Sequence, residues 1–317
     1  MLNARLWFAG KMMLCLFACQ TAAKAQEQPL SSNPAKLKTS AAEAAKSLYA
    51  DDNLTAWLVM FTDAVERTPD ERAEMVAQFG FKKVGFEAFK KYVPILEQQM
   101  DAYAKHNIKV TSVYVVVETQ TPSQEEHVIQ ILDVLRRRGE TPQIWAMFGR
   151  GSFESTTDEE RNKKLVTAFS DLAKYVDKAG CELALYNYGS WFGKLDVQLA
   201  VIEGVRQNTG IKIGTVLNFH RGHQHMEDFP QVLQQMMPHL SAVNLNGMNW
   251  KDADYDGGGA LILPLGQGDY ELTMMRQLAE SGYRGPIGII DHRSGVDAQV
   301  ALRENLDGLV KLREKLK

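Results

Sequence analysis

Residues 109–148, KVTSVYVVVETQTPSQEEHVIQILDVLRRRGETPQIWAMF, hold one complete repeat of an architecture. Lys109–Val117 is rich in β-branched and aromatic residues, the composition of a strand buried on both faces. After a polar stretch, Gln124–Arg138 carries apolar residues at helical spacing, with Arg136, Arg137 and Arg138 gathered where the helix dipole is negative. Gly139 is the residue type that stops a helix in left-handed backbone. Gln143–Phe148 is a second short apolar run. Two strands joined through a helix lie parallel, because a parallel neighbour needs a crossover.

The same unit recurs on both sides. Strands are predicted at Thr55–Thr62, Lys82–Phe86, Lys109–Val117, Gln143–Phe148, Glu182–Tyr188, Lys212–Leu217, Ala242–Leu245 and Pro286–Ile290. Helices are predicted around Asp70–Gln78, Tyr92–His106, Gln124–Arg138, Asp158–Ala179, Leu195–Asn208, Met226–Met236, Tyr270–Ser281 and Asp297–Lys315. Gly180, Gly210 and Gly282 fall at helix stops, and Thr157-Asp158-Glu159-Glu160 supplies a cap and acids at a start. Eight such units close into a (β/α)8 TIM barrel, an α/β fold that forms one domain of about 250 residues. The competing open, doubly wound sheet would want a Gly-rich dinucleotide loop after the first strand, and none is present. The barrel is assigned to 54–317, behind a tether (Gln26–Lys38) and a short helix (Ala41–Ala50) that fill 26–53.

The chain has 317 residues, 45% hydrophobic and 24% charged, with 36 Lys and Arg against 39 Asp and Glu. That balance gives no electrostatic reason to expect nucleic acid or a membrane surface as a partner. Residues 1–25 differ in kind. Arg5 and Lys11 precede the apolar run Met12–Ala18, and Ala23-Lys24-Ala25 offers a small-x-small cleavage site, so 1–25 reads as a signal peptide and the protein as exported, to the periplasm. The run is too short to span a bilayer. Leu16-Phe17-Ala18-Cys19 approaches a lipobox, and lipidation at Cys19 is the alternative route. Cleavage before Gln26 removes Cys15 and Cys19 and leaves Cys181 alone, so no internal disulfide is expected.

Chemistry in such a barrel sits at the C-terminal ends of the strands. That rule selects Glu118 after the third strand, Arg150 after the fourth, and Tyr186-Asn187-Tyr188 with Trp191 after the fifth. It selects Asn218, His220, His223 and His225 after the sixth, Asn244, Asn246 and Lys251 after the seventh, and Asp291-His292-Arg293 after the eighth. Imidazoles move protons or bind divalent metals. Tyr186, Tyr188 and Trp191 beside Asn187 suggest aromatic faces for a sugar ring, with Asn218, Asn244 and Asn246 as planar amides for its hydroxyls. Such aromatics also close barrel mouths, and Trp57 and Trp145, inside strands, read as packing. Gly257-Gly258-Gly259, in a long seventh loop, reads as a lid or a flexible turn.

Leu263-Pro264-Leu265-Gly266-Gln267-Gly268-Asp269, followed by Gly282-Tyr283-Arg284-Gly285-Pro286-Ile287, resembles the "LPLGEGD … GYDGP" signature of the xylose-isomerase-like TIM barrels. That superfamily includes sugar isomerases, sugar epimerases and barrel-type AP endonucleases. The stretches LALYNYGSWFG (183–193) and IGTVLNFHRGH (213–223) are similar to an exported bacterial branch of sugar phosphate isomerases/epimerases. The resemblance runs from about Ala56 to Ile290. It implies a divalent cation held by Glu, Asp, His and Glu from strands five to eight, which moves a proton or hydride between neighbouring sugar carbons. Here those positions fall on Tyr186, Asn218, Asn244 and Ile290, with Asp291 next to the last. Neutral ligands hold a hard cation weakly. A manganese, magnesium or zinc ion would therefore need His220, His223, Asp291 and His292.

Two readings follow. One is an isomerase, epimerase or lyase acting on a neutral or keto-sugar by proton transfer next to a carbonyl, with His220, His223, Glu118 and Lys251 as candidate acid–base groups. The other is a carbohydrate-binding barrel that has kept the pocket and lost the chemistry. A phosphorylated sugar suits neither the exported compartment nor the sparse phosphate-binding groups, Arg150 and Arg293.

Overall fold

The computed structural model describes residues 34–57, 63–149, 157–187, 191–249, 262–291, 293 and 295–317. Eight strands, β1 Leu54–Trp57, β2 Lys83–Glu87, β3 Lys109–Val117, β4 Gln143–Phe148, β5 Leu183–Tyr186, β6 Gly214–Asn218, β7 Leu240–Leu245 and β8 Ile287–Ile290, close in sequence order into a parallel barrel. Around them run α2 Pro69–Gln78, α3 Leu96–Lys105, α4 Glu126–Arg138, α5 Asp158–Lys178, α6 Leu195–Thr209, α7 Phe229–Met236, α8 Glu271–Glu280 and α9 Ala298–Lys315, preceded by α1 Pro34–Leu48. This is the single-domain (β/α)8 architecture expected from the alternation.

Local chemistry sets the boundaries. Thr68 and Thr157 each open a helix with a reciprocal capping box, to Glu71 and Glu160. Gly139 and Gly210 stop α4 and α6 at φ of 66° and 75°, backbone that other residues adopt only with strain. The basic cluster on α4 faces water, where Arg136, Arg137 and Arg138 pair with Asp133, Glu97 and Asp101.

The structure corrects several edges. α1 begins at Pro34, inside the stretch read as tether, because proline suits a first helical turn and the helix has something to pack on. Ala45 and Leu48 are buried, the Tyr49 hydroxyl donates to Met275 O at 2.7 Å, and Asn53 Nδ2 donates to Leu48 O and Gly285 O. Those contacts pin α1 at the N-terminal end of β1 and β8. α7 begins at Phe229, later than its periodicity suggests, because residues 219–225 wind into two tight single turns. Of the long first strand, Leu54–Trp57 is present and 58–62 lie outside the described residues.

Register decides what faces the lumen. Trp57 is aligned with Ile290 of β8, Glu87 with Tyr114, Tyr114 with Trp145, Tyr186 with Val216, and Asn218 with Asn244. Alternation then turns Trp57, Gly85, Glu87, Tyr114, Trp145, Tyr186, Asn218, Asn244 and Gly288 inward. Four aromatic rings fill the middle: Trp57 lies 4.6 Å from Trp145, Tyr114 lies 4.9 Å from Tyr186, and Trp57 Nε1 donates to the Tyr186 hydroxyl at 3.1 Å. Gly85 makes room for them, since a Cβ there would sit 2.0 Å from the Trp57 ring. The lumen is a packed core with an aromatic floor beneath its mouth.

Candidate functional site

The mouth is lined on the β5–β7 side by asparagines that hold one another. Asn187, just past β5, accepts through Oδ1 from Asn218 N at 2.9 Å and from Asn218 Nδ2 at 2.7 Å. Asn218 Oδ1 in turn accepts from Asn244 Nδ2 at 2.6 Å. Gly288 on β8 leaves space for the last member, because a Cβ there would fall 1.9 Å from Asn244 Oδ1. Asn246 Oδ1 accepts from His220 N at 2.8 Å and fixes the start of the next loop. All four side chains are buried. Amides read from the sequence as sugar contacts are thus an internal ladder, and within it one buried acceptor, Asn244 Oδ1, lacks a partner among the described residues.

The histidine loop after β6 brings His220 and His223 together, both buried. His223 Nδ1 lies 3.0 Å from His220 O. A carbonyl only accepts, so Nδ1 carries the hydrogen and Nε2 of the neutral ring keeps its lone pair. That Nε2 is buried without a partner among the described residues. Burial pushes the His223 pKa down, the bond to His220 opposes it, and Arg221 adds to it, so the ring is neutral at neutral pH. His225 sits further out and pairs with Asp228.

Other sequence candidates are placed elsewhere. Asp291 is gripped by Arg293, Nε and Nη2 lying 3.0 and 2.9 Å from its oxygens, and accepts from Asn305 Nδ2 at 2.8 Å. Its lone pairs are spent on that pairing, so it does not join the histidines as a metal ligand. Glu118 is half exposed and paired with Lys90 at 2.5 Å. Tyr186 is turned into the barrel floor instead of offering a face to a sugar, because the buried run LALY hides which parity points inward. Trp191 has one face covered by Arg161, 5.5 Å from its ring. Arg150, Tyr188, Lys251 and His292, with the glycine run 257–259, lie outside the described residues.

Two carboxylates escaped the sequence reading. Glu87, the last residue of β2, is 6% exposed and points into the mouth beside Tyr114. Burial pushes its pKa up to about 7, with Arg72 and Lys91 opposing and no hydrogen bond contributing. The strand-end rule would have found it had the second strand been carried one residue past Phe86. Glu271, the first residue of α8, accepts from Gly266 N and Gly268 N through Oε1 and from Met248 N through Oε2, all at 3.0 Å or less. It ties the 263–269 turn to the end of β7. Asn305 of α9 fastens the same turn from the other side, accepting from Leu265 N at 3.0 Å.

No family model matches the sequence, and no curated protein does. Solved structures are similar in fold. A 3-keto-D-glucoside 4-epimerase from E. coli superposes with a TM-score of 0.61 at 15% identity, over 83% of this chain and 99% of its own. A D-psicose 3-epimerase from Clostridium cellulolyticum gives 0.59 at 13%, over 83% and 99%. A xylose isomerase domain protein from Planctomyces limnophilus gives 0.60 at 18%, over 83% and 98%. The chain has the xylose-isomerase-like TIM-barrel fold. Likeness this distant carries the fold and not the reaction.

The resemblance to xylose-isomerase-like barrels implies a divalent cation, and the described residues do not fit one. Among the described residues no group of three or more His, Cys, Asp or Glu is arranged to hold a metal ion. Where acids and a histidine are implied, Asn218 and Asn244 bond to each other. Carboxylates at such positions would repel one another without a cation between them, whereas amides supply donor and acceptor both.

Proposed function

We propose that this barrel is a sugar isomerase- or epimerase-like enzyme that moves a proton next to the carbonyl of a neutral or keto-sugar, with side chains of its own in place of the family's cation. The observation that carries this reading is His223, whose Nε2 lone pair is buried at the strand-end face without a partner among the described residues. An imidazole kept neutral by burial is a proton acceptor at neutral pH. The fold supports the substrate class, since the D-psicose 3-epimerase and the 3-keto-D-glucoside 4-epimerase are built on it. The test is solvent-deuterium incorporation into a panel of ketoses and keto-glycosides, followed by proton NMR. Incorporation by the parent and its loss in His223→Gln support the reading; no incorporation into any sugar sinks it.

A second reading has its own observation. The Asn187–Asn218–Asn244 ladder spends its hydrogen bonds internally, which suits a carbohydrate-binding barrel without catalysis. Calorimetry on the same panel separates the two, because a sugar bound tightly and never exchanged supports binding alone. Export through cleavage of residues 1–25 belongs to this proposal, and mass spectrometry of secreted material starting at Gln26 tests it against a lipidated Cys19. No helix among the described residues is long and apolar enough to cross a membrane.

A further inference from the structure

Besides His223, an acceptor suited to a hydroxyl proton, the proton-transfer reading needs a group that meets the substrate's C–H within the barrel mouth. Glu118 does not supply it, being half exposed and ion-paired with Lys90. Glu87 does. It ends β2, faces inward beside Tyr114, and stands on the wall opposite Asn218 of β6 in the closed ring of eight strands. The rings of Trp57, Tyr114, Trp145 and Tyr186 lie beneath it as an apolar floor. A carboxyl above apolar rings suits a polyhydroxy carbonyl compound, whose C–H face prefers the rings and whose hydroxyls prefer a polar rim.

We propose that Glu87 is the acid–base carboxyl of this barrel, which takes the proton from the carbon next to the substrate's carbonyl and returns it to the neighbouring carbon. The inference rests on the sugar isomerase-like reading above. In the forward step an ionised Glu87 oxygen forms an O–H bond as the C–H bond breaks. The C–H electron pair becomes the C=C bond of an enediolate, and the carbonyl π pair moves onto its oxygen. Glu87 then gives the proton to the adjacent carbon, while the hydroxyl proton passes from one enediol oxygen to the other. Atoms and charge balance with no co-reactant. The charged groups acting on Glu87 are Arg72 on α2 and Lys91 in the loop after β2, both favouring ionisation, while burial disfavours it; Tyr114 faces it from β3. The ionisation midpoint of about 7 places both forms within reach at neutral pH.

The experiment uses the full chain and the variants Glu87→Gln and Glu87→Asp. Deuterium incorporation from solvent is followed by NMR across pH, with sugar affinity measured by calorimetry. The parent rate is expected to rise with pH through about 7. Glu87→Gln is expected to lose about a hundredfold or more in exchange while affinity stays within a few-fold. Glu87→Asp, one methylene shorter, is expected to keep a pH-dependent remnant. Exchange by Glu87→Gln at the parent rate overturns the role of Glu87 and leaves the proton-transfer reading standing. No exchange by the parent on any sugar overturns that reading, and the role of Glu87 with it. A folded Glu87→Asp with a flat pH profile overturns the assignment as well.

Discussion

The two walls of the barrel mouth are built on opposite rules. On the wall from β5 to β8 most polar groups have a protein partner: three asparagines bond in series, Asp291 is clamped by Arg293 and Asn305, and Glu271 gathers three backbone N–H groups, while His223 Nε2 and Asn244 Oδ1 are exceptions among the described residues. On the β2 wall Glu87 is buried too, yet among the described residues no hydrogen bond steadies its charge. A buried polar group that is satisfied adds rigidity; one that is not is destabilising and is kept where it has another use. Polar residues at strand ends therefore divide into architecture and candidates for chemistry by their partners, and not by their type.

Glu271→Ala strips three donors of a charged acceptor and is expected to lower stability by about 4 kcal/mol, read from urea denaturation. A loss below about 1 kcal/mol would mean the 263–269 turn holds without its clasp. Asn218→Leu, in the middle of the ladder, takes one of its two donors from Asn187 Oδ1, leaves Asn244 Nδ2 without its acceptor, and is expected to lower stability by about 2 kcal/mol by the same measurement.

Glu87→Gln acts in the opposite direction and stabilises. The folded-state pKa of Glu87, about 7, lies above the ordinary carboxylate value, so the folded state holds the proton more tightly than the unfolded chain. Ionisation therefore destabilises the fold progressively as pH rises from about 4.5 to about 7, and the penalty is fully present above that. The glutamine variant is expected to exceed the parent in stability by about 2 kcal/mol at pH 8, allowing for burial of its amide, with the gain vanishing near pH 4.5. Denaturation curves across that range decide it, and a gain independent of pH would mean that the charge of Glu87 carries no penalty in the fold. At the small end, Glu118→Ala is expected to change stability by less than about 1 kcal/mol, since its partner Lys90 is as exposed as it is.

Much of this barrel is written in the chain's periodicity. β3 and β4 stand where their apolar runs end, and Gly139 and Gly210 stop helices as their residue type demands. The site was less legible, for three physical reasons. β5 is buried along its whole length, so LALY carries no alternation to say that Tyr186 points to the floor. Asparagines suit a sugar hydroxyl or another asparagine equally, and only register brings 218 level with 244. Glu87 was hidden by a strand end misplaced by one residue, enough to leave the mouth's unsupported carboxyl off the candidate set. The turn at 263–269, where the resemblance is clearest, is held by Glu271 and Asn305 for packing, so it transmits the fold without speaking to the reaction.

The packed floor gives the molecule an optical signature. Trp57 and Trp145 stand 4.6 Å apart with their planes at 66°, in edge contact and close enough for their excited states to couple. Tyr186 donates excitation to the same pair from 5.9 and 6.1 Å. Closing the barrel assembles a chromophore that the unfolded chain lacks, and whatever settles into the mouth rests on top of it. The near-ultraviolet dichroism and emission of this protein are thus a native gauge of both barrel closure and occupancy, with no label attached.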